Sequence, residues 1–239
     1  MSFIPAERIH LIGCGGIGSW LLPPLLRFLD SKHFSGDIVL WDGDKYTESN
    51  RFRQSFAPEC INGNKATVQM RANWNSFPEL SLVARDSYVL LNNVLHVVHN
   101  NAWIIAAVDN HPCRALLDSQ AKSVENVVIF YPGNELVDGN VYVHVRKDGQ
   151  DLTPPISIAH PEVLKTTHGD RKSVGCEEMI EQGSSQLLIT NFNAATVTLN
   201  AFHAYWEHGV SYNRRRMQML PREISFDIVT MAMEATACS

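Results

Sequence analysis

Two hydrophobic rhythms alternate along the 239-residue chain. Short, nearly continuous apolar runs fall at 8–12, 37–41, 80–84, 103–108 and 126–131. Between them, at 17–30, 64–74, 88–99 and 110–122, apolar residues return every three or four positions. The first rhythm predicts strands buried on both faces, the second amphipathic helices. Their strict alternation predicts a doubly wound, mainly parallel α/β sheet closed by right-handed crossovers. Beyond residue 138 the pattern changes. "GNVYVHVRKDG" alternates and predicts an antiparallel strand, and 148–175 is rich in Pro, Thr and charge and predicts a long loop. A long helix is expected over 183–208, ended by Gly209, then two more strands at 211–220 and 222–231, split by Pro221. The expected organisation is a single domain, with a core over 1–146, a crossover loop over 147–182, and a helix and strands over 183–239.

Composition narrows the classes. With 45% hydrophobic and 19% charged residues the chain is an ordinary globular one. A net charge of −5 argues against nucleic acid as the main partner. No apolar run reaches the ~20 residues that span a membrane. The first strand begins almost at once, without a leader, which predicts a cytoplasmic protein. Five cysteines occur without a C-x-x-C pair, so free thiols are expected and no zinc.

The chemistry begins at "IGCGGIGSW", where the first strand runs out into glycines. Gly13, Gly15 and Gly18 satisfy G-x-G-x-x-G, with Gly16 a fourth glycine in the loop. The first permits a tight turn, the second admits a phosphate close to the backbone, and the third lets helix pack on strand. This is the Rossmann-like arrangement, and it predicts nucleotide binding. Asp42, at the tip of the second strand, stands where a carboxylate receives ribose hydroxyls, with Asp44 two residues on. To this point NAD and ATP fit equally. Asn50, Arg51, Arg53 and Lys65 then crowd into sixteen residues. A pyrophosphate is served by a helix N-terminus alone, whereas a triphosphate calls for several cations. Asp109 ends the fourth apolar run, where it can hold Mg²⁺ against phosphates. Asp109 or Asn110 can equally cap the following helix.

In order, the motifs are "GCGGIG", "DGDKYTESNRFRQ", "GNK" and "DNHPCR". They resemble the ThiF/MoeB/ubiquitin-activating superfamily of adenylyltransferases, closely over 8–146 and more loosely to about 208. The resemblance implies ATP and Mg²⁺ as cofactors. It places Asp42 on ribose, Asp44 in support of the loop, Asn50, Arg53 and Lys65 on the triphosphate, Asp109 on Mg²⁺ and Arg114 behind it. It implies that the C-terminal carboxylate of a ubiquitin-like protein is adenylated. It implies a homodimer and, in some members, transfer to a conjugating, E2-like partner.

Many members carry a nucleophilic cysteine after the crossover loop, and Cys176, in "KSVGCEEMIEQ", occupies that place. A thiolate there would displace AMP and form a thioester. Arg171 and Lys172 favour the thiolate, while Glu177 and Glu178 oppose it. The N-terminal arginine arm of bacterial members is missing from this sequence, and Arg51 is a possible substitute. The chain looks similar to minimal bacterial ThiF-like proteins, some of them in antiphage defence operons. A sulfur-carrier or small-carboxylate adenylyltransferase, an NAD(P)-dependent oxidoreductase and an idle nucleotide-binding module stay open as alternatives.

Overall fold

The computed structural model describes residues 5–165, 174–209 and 220–237, with the side chains of 174–187 and 209 outside the description. Five parallel strands stand in the order β3-β2-β1-β4-β5: β1 (Arg8–Ile12), β2 (Asp37–Trp41), β3 (Ser81–Arg85), β4 (Ala102–Ala106) and β5 (Val127–Asn134). Arg8 at the start of β1 faces Asp37 on one side and Ala102 on the other. The winding reverses between β1 and β4, so a crevice opens at their carboxyl ends, where ligands bind in such sheets. β6 (Asp138–Lys147) returns antiparallel to β5, and β8 (Pro221–Asp227) and β9 (Ala232–Ala237) extend the sheet in the same sense. A two-residue β7 (Gln150–Asp151) pairs with β6 alone.

Each central strand buries both faces, which is why its sequence does not alternate. On β4, Trp103 and Ile105 face one core with α1 (Gly16–Ser31) and the long helix α5 (Val174–Gly209). Ile104 and Ala106 face a second core with α3 (His111–Ala121). Trp103 meets Phe130, Phe202 and Trp206 ring to ring. Burial of such a side chain contributes roughly 2–3 kcal/mol, and truncation to Ala costs about 3–5.

The expected helix over 88–99 is not formed; turns and a single 3-10 turn (Val94–His96) take its place. Asn93 accounts for this, because its side chain accepts from Leu90 N at 2.8 Å and donates to Tyr88 O at 2.9 Å. Such local bonds compete with a helix for the same backbone groups. The expected loop over 148–175 holds β7, a short helix α4 (Ile156–Ala159) and a 3-10 turn (Pro161–Leu164). The long helix starts at Val174 instead of 183 and runs through Gly183, which costs only about 1 kcal/mol relative to Ala. The strand expected over 222–231 stops at Asp227, whose Oδ1 accepts from Val229 N and Thr230 N, and the chain reverses into β9. Pro221 opens β8, the first-residue position a strand tolerates. The strand expected over 211–220 lies outside the described residues up to Leu220.

Candidate functional site

β1 ends at Ile12 and the glycines follow. Gly13 has φ +88, and a Cβ there would sit 2.3 Å from the Ala107 carbonyl oxygen. A Cβ at Gly18 would sit 1.9 Å from the Gly13 carbonyl oxygen. Both glycines are demanded by the fold itself, because loop, β4 and α1 meet without room for a side chain. At Gly16 a Cβ would strike the Asn191 amide of α5 at 2.7 Å. Gly15 differs: a Cβ would find nothing nearer than Gln54 Nε2 at 3.5 Å, an ordinary contact. The packing does not need this glycine, so the space above it is left for something else. α1 begins there with no side-chain cap and no acid in its first turn. Its free N–H groups and dipole favour an anion.

Asp42 buttresses the loop from the tip of β2. Its Oδ2 accepts from Cys14 N at 2.7 Å and its Oδ1 from Asp44 N at 2.8 Å. Burial raises this carboxyl above its ordinary range, and the nearby Lys65 ammonium pulls the other way. Each oxygen keeps a second lone pair for a further donor. Asn64 ties α2 (Lys65–Trp74) to the same turn. It caps Thr67 N through its Oδ1, and its Nδ2 donates to Asp42 O at 2.7 Å and Asp44 O at 3.1 Å. Lys65 follows at once, with Nζ 3.1 Å from Asp44 Oδ2. Asp44 also accepts from the Tyr88 hydroxyl; the two bonds, with Lys65, outweigh its burial and hold its carboxyl below the usual range. Tyr46 completes the floor, donating to Cys14 O at 2.9 Å, accepting from Gln69 and stacking on Phe56.

The segment after it brings cations to the loop. Asn50 is buried and its Oδ1 accepts from Thr47 N at 3.0 Å, so it first of all shapes the 3-10 turn (Glu48–Asn50). Arg51 is spent on a surface pair with Glu48 at 2.6 Å. The Arg53 carbonyl accepts from Trp20 Nε1 of α1 and Asn191 Nδ2 of α5. Arg53 Nε and Gln54 Oε1 are both buried without a hydrogen-bond partner among the described residues. Such orphans are costly, about 1–3 kcal/mol each, unless a ligand satisfies them.

On the far side of the crevice Asp109 is exposed, in the turn after β4. The helix cap is Asn110, which accepts from Cys113 N at 2.9 Å, so the Asp109 carboxylate is not used as a cap. Arg114 braces this turn, donating to Val108 O at 2.9 Å and to Pro132 O at 2.7 Å. No three His, Cys, Asp or Glu gather into a metal site among the described residues. One carboxylate beside phosphate oxygens still suits Mg²⁺, which keeps most of its water. The thiols of Cys14 and Cys113 are buried. Burial pushes Cys113 up to about 11 and Cys14 also upward, so neither offers a thiolate at neutral pH. Cys176 falls in the first turn of α5, not in a loop before it, and its side chain lies outside the described residues.

The structure thus gathers Gly13, Gly15, Gly16, Gly18, Asp42, Asp44, Lys65 and Arg53 around one loop. Gln54, Asn64, Tyr88 and Asn191 also meet this loop, and the sequence motifs assign them no role. Gln54 was within the quoted motif, whereas Tyr88 and Asn191 join the loop through long-range contacts that leave no local signal. A cleft of about 230 Å³ between α2 and β3 is lined by Trp74, Phe77, Pro78, Leu80, Ser81 and Leu82 and holds none of these groups. Among the described residues no helix is long and apolar enough to cross a membrane.

A model of the ThiF family matches residues 3–209. A comparison with curated proteins finds no match. Among solved structures, Escherichia coli MccB with ATP superposes with a TM-score of 0.67 at 16% identity, covering 99% of this chain and 65% of that one. MccB, described as a microcin C7 biosynthetic enzyme, in complex with N-formylated MccA gives 0.66 at 16%, covering 98% and 65%. PaaA gives 0.61 at 14%, covering 97% and 64%. The chain spans just under two thirds of the length of these neighbours, and the likeness is one of fold.

Proposed function

The chain belongs to the ThiF family, and on that premise we propose that it activates a carboxylate with ATP. The acceptor is the C-terminal carboxylate of a peptide or small protein, a ubiquitin-like protein in the fullest form of the reading. Its oxygen attacks the α-phosphorus, a carboxylate–phosphorus bond forms, and the α–β bridge breaks. Pyrophosphate leaves with the bridging oxygen, and an acyl adenylate remains. The carboxylate is already ionised at neutral pH, so the step needs no general base. The protein supplies position and charge.

The observation that carries the reading is the pair of buried orphans, Arg53 Nε and Gln54 Oε1, beside an open Gly15 and an uncapped α1. Polar atoms left unsatisfied next to a free helix N-terminus are suited to phosphate oxygens and bound water. Asp42 serves the ribose, Lys65 and Arg53 the triphosphate with Asn50 behind them, and Asp109 holds Mg²⁺. In support, structures of the neighbour MccB have been solved with ATP and in complex with N-formylated MccA. A homodimer, a conjugating partner and a place in the cytoplasm belong to the same proposal.

The test is ATP–pyrophosphate exchange alongside thermal melting. ATP at ~100 times its Kd raises stability by about 2.7 kcal/mol. Mg²⁺ enhances that shift in the wild type and not in Asp109→Asn. A shift with NAD or NADP alone overturns the reading in favour of an oxidoreductase. Thioester formation on Cys176 is a separable second step. Cys176→Ala is expected to keep full exchange and to lose any reductant-sensitive covalent adduct with the acceptor. An adduct that survives in Cys176→Ala excludes Cys176 as the nucleophile.

A further inference from the structure

β3 stands at one end of the sheet, and no strand among the described residues pairs with its outer side. Asp42 N donates to Arg85 O at 3.1 Å, so Arg85 turns its backbone groups toward β2. That direction alternates along a strand, so Ser81 and Val83 face β2 as well. Leu82 and Ala84 therefore present their N–H and C=O groups outward. Such an edge is a template for a further strand, and proteins commonly guard it with charges or proline. Within "SLVAR" the sole charge is Arg85, at the end. The cleft of about 230 Å³ lies against the first half of this edge. Phe77, Leu80 and Leu82 are buried and floor it, while Trp74, at the end of α2, stands 57% exposed in its wall beside Pro78.

Three arginines border the same edge. Arg27 of α1 lies over the Phe77 ring at 5.8 Å. Arg71 stands one turn before Trp74 on α2, and Arg85 closes β3. All three are exposed, and none forms an ion pair among the described residues. Glu79 and Asp86 are the acids of the same stretch, so positive charge is in local excess on a chain of net charge −5.

We propose that the β3 edge docks an extended acidic segment of a partner protein, which adds to the sheet as a strand and seats an apolar side chain in the cleft. The outward groups of Leu82 and Ala84 supply main-chain bonds, and the cleft selects the side chain, the division of labour of strand addition. Carboxylates of the added strand meet Arg27, Arg71 and Arg85. An exposed Trp among unpaired arginines is the composition that dominates binding energy in protein interfaces. A second copy of this chain fits poorly, because a two-fold pairing of β3 with itself sets arginine against arginine. The surface lies two strands away from the glycine loop of β1, so it is independent of the nucleotide.

The test uses an array of fluorescein-labelled octapeptides that alternate Glu with Val, Ile, Leu, Phe or Trp, read by fluorescence polarisation. At least one member is expected to bind tenfold or more tightly than two counterparts, one with Lys for Glu and one methylated at alternate backbone nitrogens. Affinity falls about tenfold in Trp74→Ala and in Arg71→Glu, and it weakens as salt rises. In the complex the Leu82 and Ala84 amides gain protection from hydrogen exchange, whereas the Val83 amide, already turned to β2, does not. Both variants should melt within a few degrees of wild type and keep its shift with ATP, so that lost affinity is not lost fold. Equal binding of Glu and Lys peptides overturns the acidic partner. Binding without protection at Leu82 and Ala84 overturns strand addition, and binding by no member overturns the site. A dimer formed without peptide that protects the same two amides gives the edge to a second copy instead. The ATP shift is read separately, so adenylation stands or falls apart from this surface.

Discussion

The four glycines of one loop answer to different demands, and substitution separates them. Gly13→Ala and Gly18→Ala each drive a methyl into a carbonyl oxygen, at 2.3 and 1.9 Å, so both variants are expected to be severely destabilised. Gly15→Ala meets only the Gln54 amide at 3.5 Å. Its melting temperature should drop by no more than a few degrees, since Ala is a weaker helix cap than Gly by roughly 1 kcal/mol. Its ATP-dependent shift should vanish, because a methyl occupies the space a phosphate needs. Melting curves of the three variants with and without ATP check this; a Gly15→Ala protein that still binds ATP removes that glycine from the site. The motif was legible in the sequence as a spacing. Which glycine serves packing and which serves a ligand was not, because Ala107, Asn191 and Gln54 come from 39 to 175 positions away.

At the scale of elements, legibility followed burial. β1 and β2 lie where their apolar runs predicted, because strands covered on both faces carry an unbroken signal. Two of the failures share one cause: a polar side chain bonded to nearby backbone. Asn93 closes the turns at 88–96, and Asp227 turns the chain between β8 and β9. Hydrophobic periodicity cannot register such a bond. Asn93→Ala is expected to cost about 1–2 kcal/mol in urea denaturation, as for a lost cap. It should also loosen Tyr88, whose carbonyl Asn93 holds and whose hydroxyl restrains Asp44. Weaker ATP binding in Asn93→Ala would then accompany the lower urea midpoint; ATP affinity equal to wild type would show that Tyr88 stays in place without Asn93.

For the whole molecule, one buried histidine governs the response to mild acid. His10, in the middle of β1, accepts from Trp41 Nε1 at 3.1 Å through Nδ1, and its Nε2 lies 3.3 Å from His99 Nε2. Burial, helped by the His99 and Arg8 charges, lowers its pKa from 6.5 to about 3. The unfolded chain therefore takes up a proton near pH 6.5 that the folded chain refuses until about 3. Stability is intact above 6.5 and falls as pH drops through that window, by on the order of 3 kcal/mol at pH 4. The depressed carboxylates Asp37, Asp44 and Asp151 add their losses only below about pH 4, the ordinary carboxylate range. His10→Gln should flatten urea midpoints between pH 6.5 and 4, and a slope equal to wild type would exonerate His10. The long helix has a consequence of another kind. Asn191 touches the glycine loop, and Cys176 lies fifteen residues earlier on the same unbroken α5. At 1.5 Å per residue that is about 22 Å of rigid rod. A carboxylate activated at the loop cannot bridge that gap by a side-chain rotation. On the proposed adenylation, the adenylate is either released, passed to the thiol of a second copy, or reached by melting four turns of α5 at every turnover.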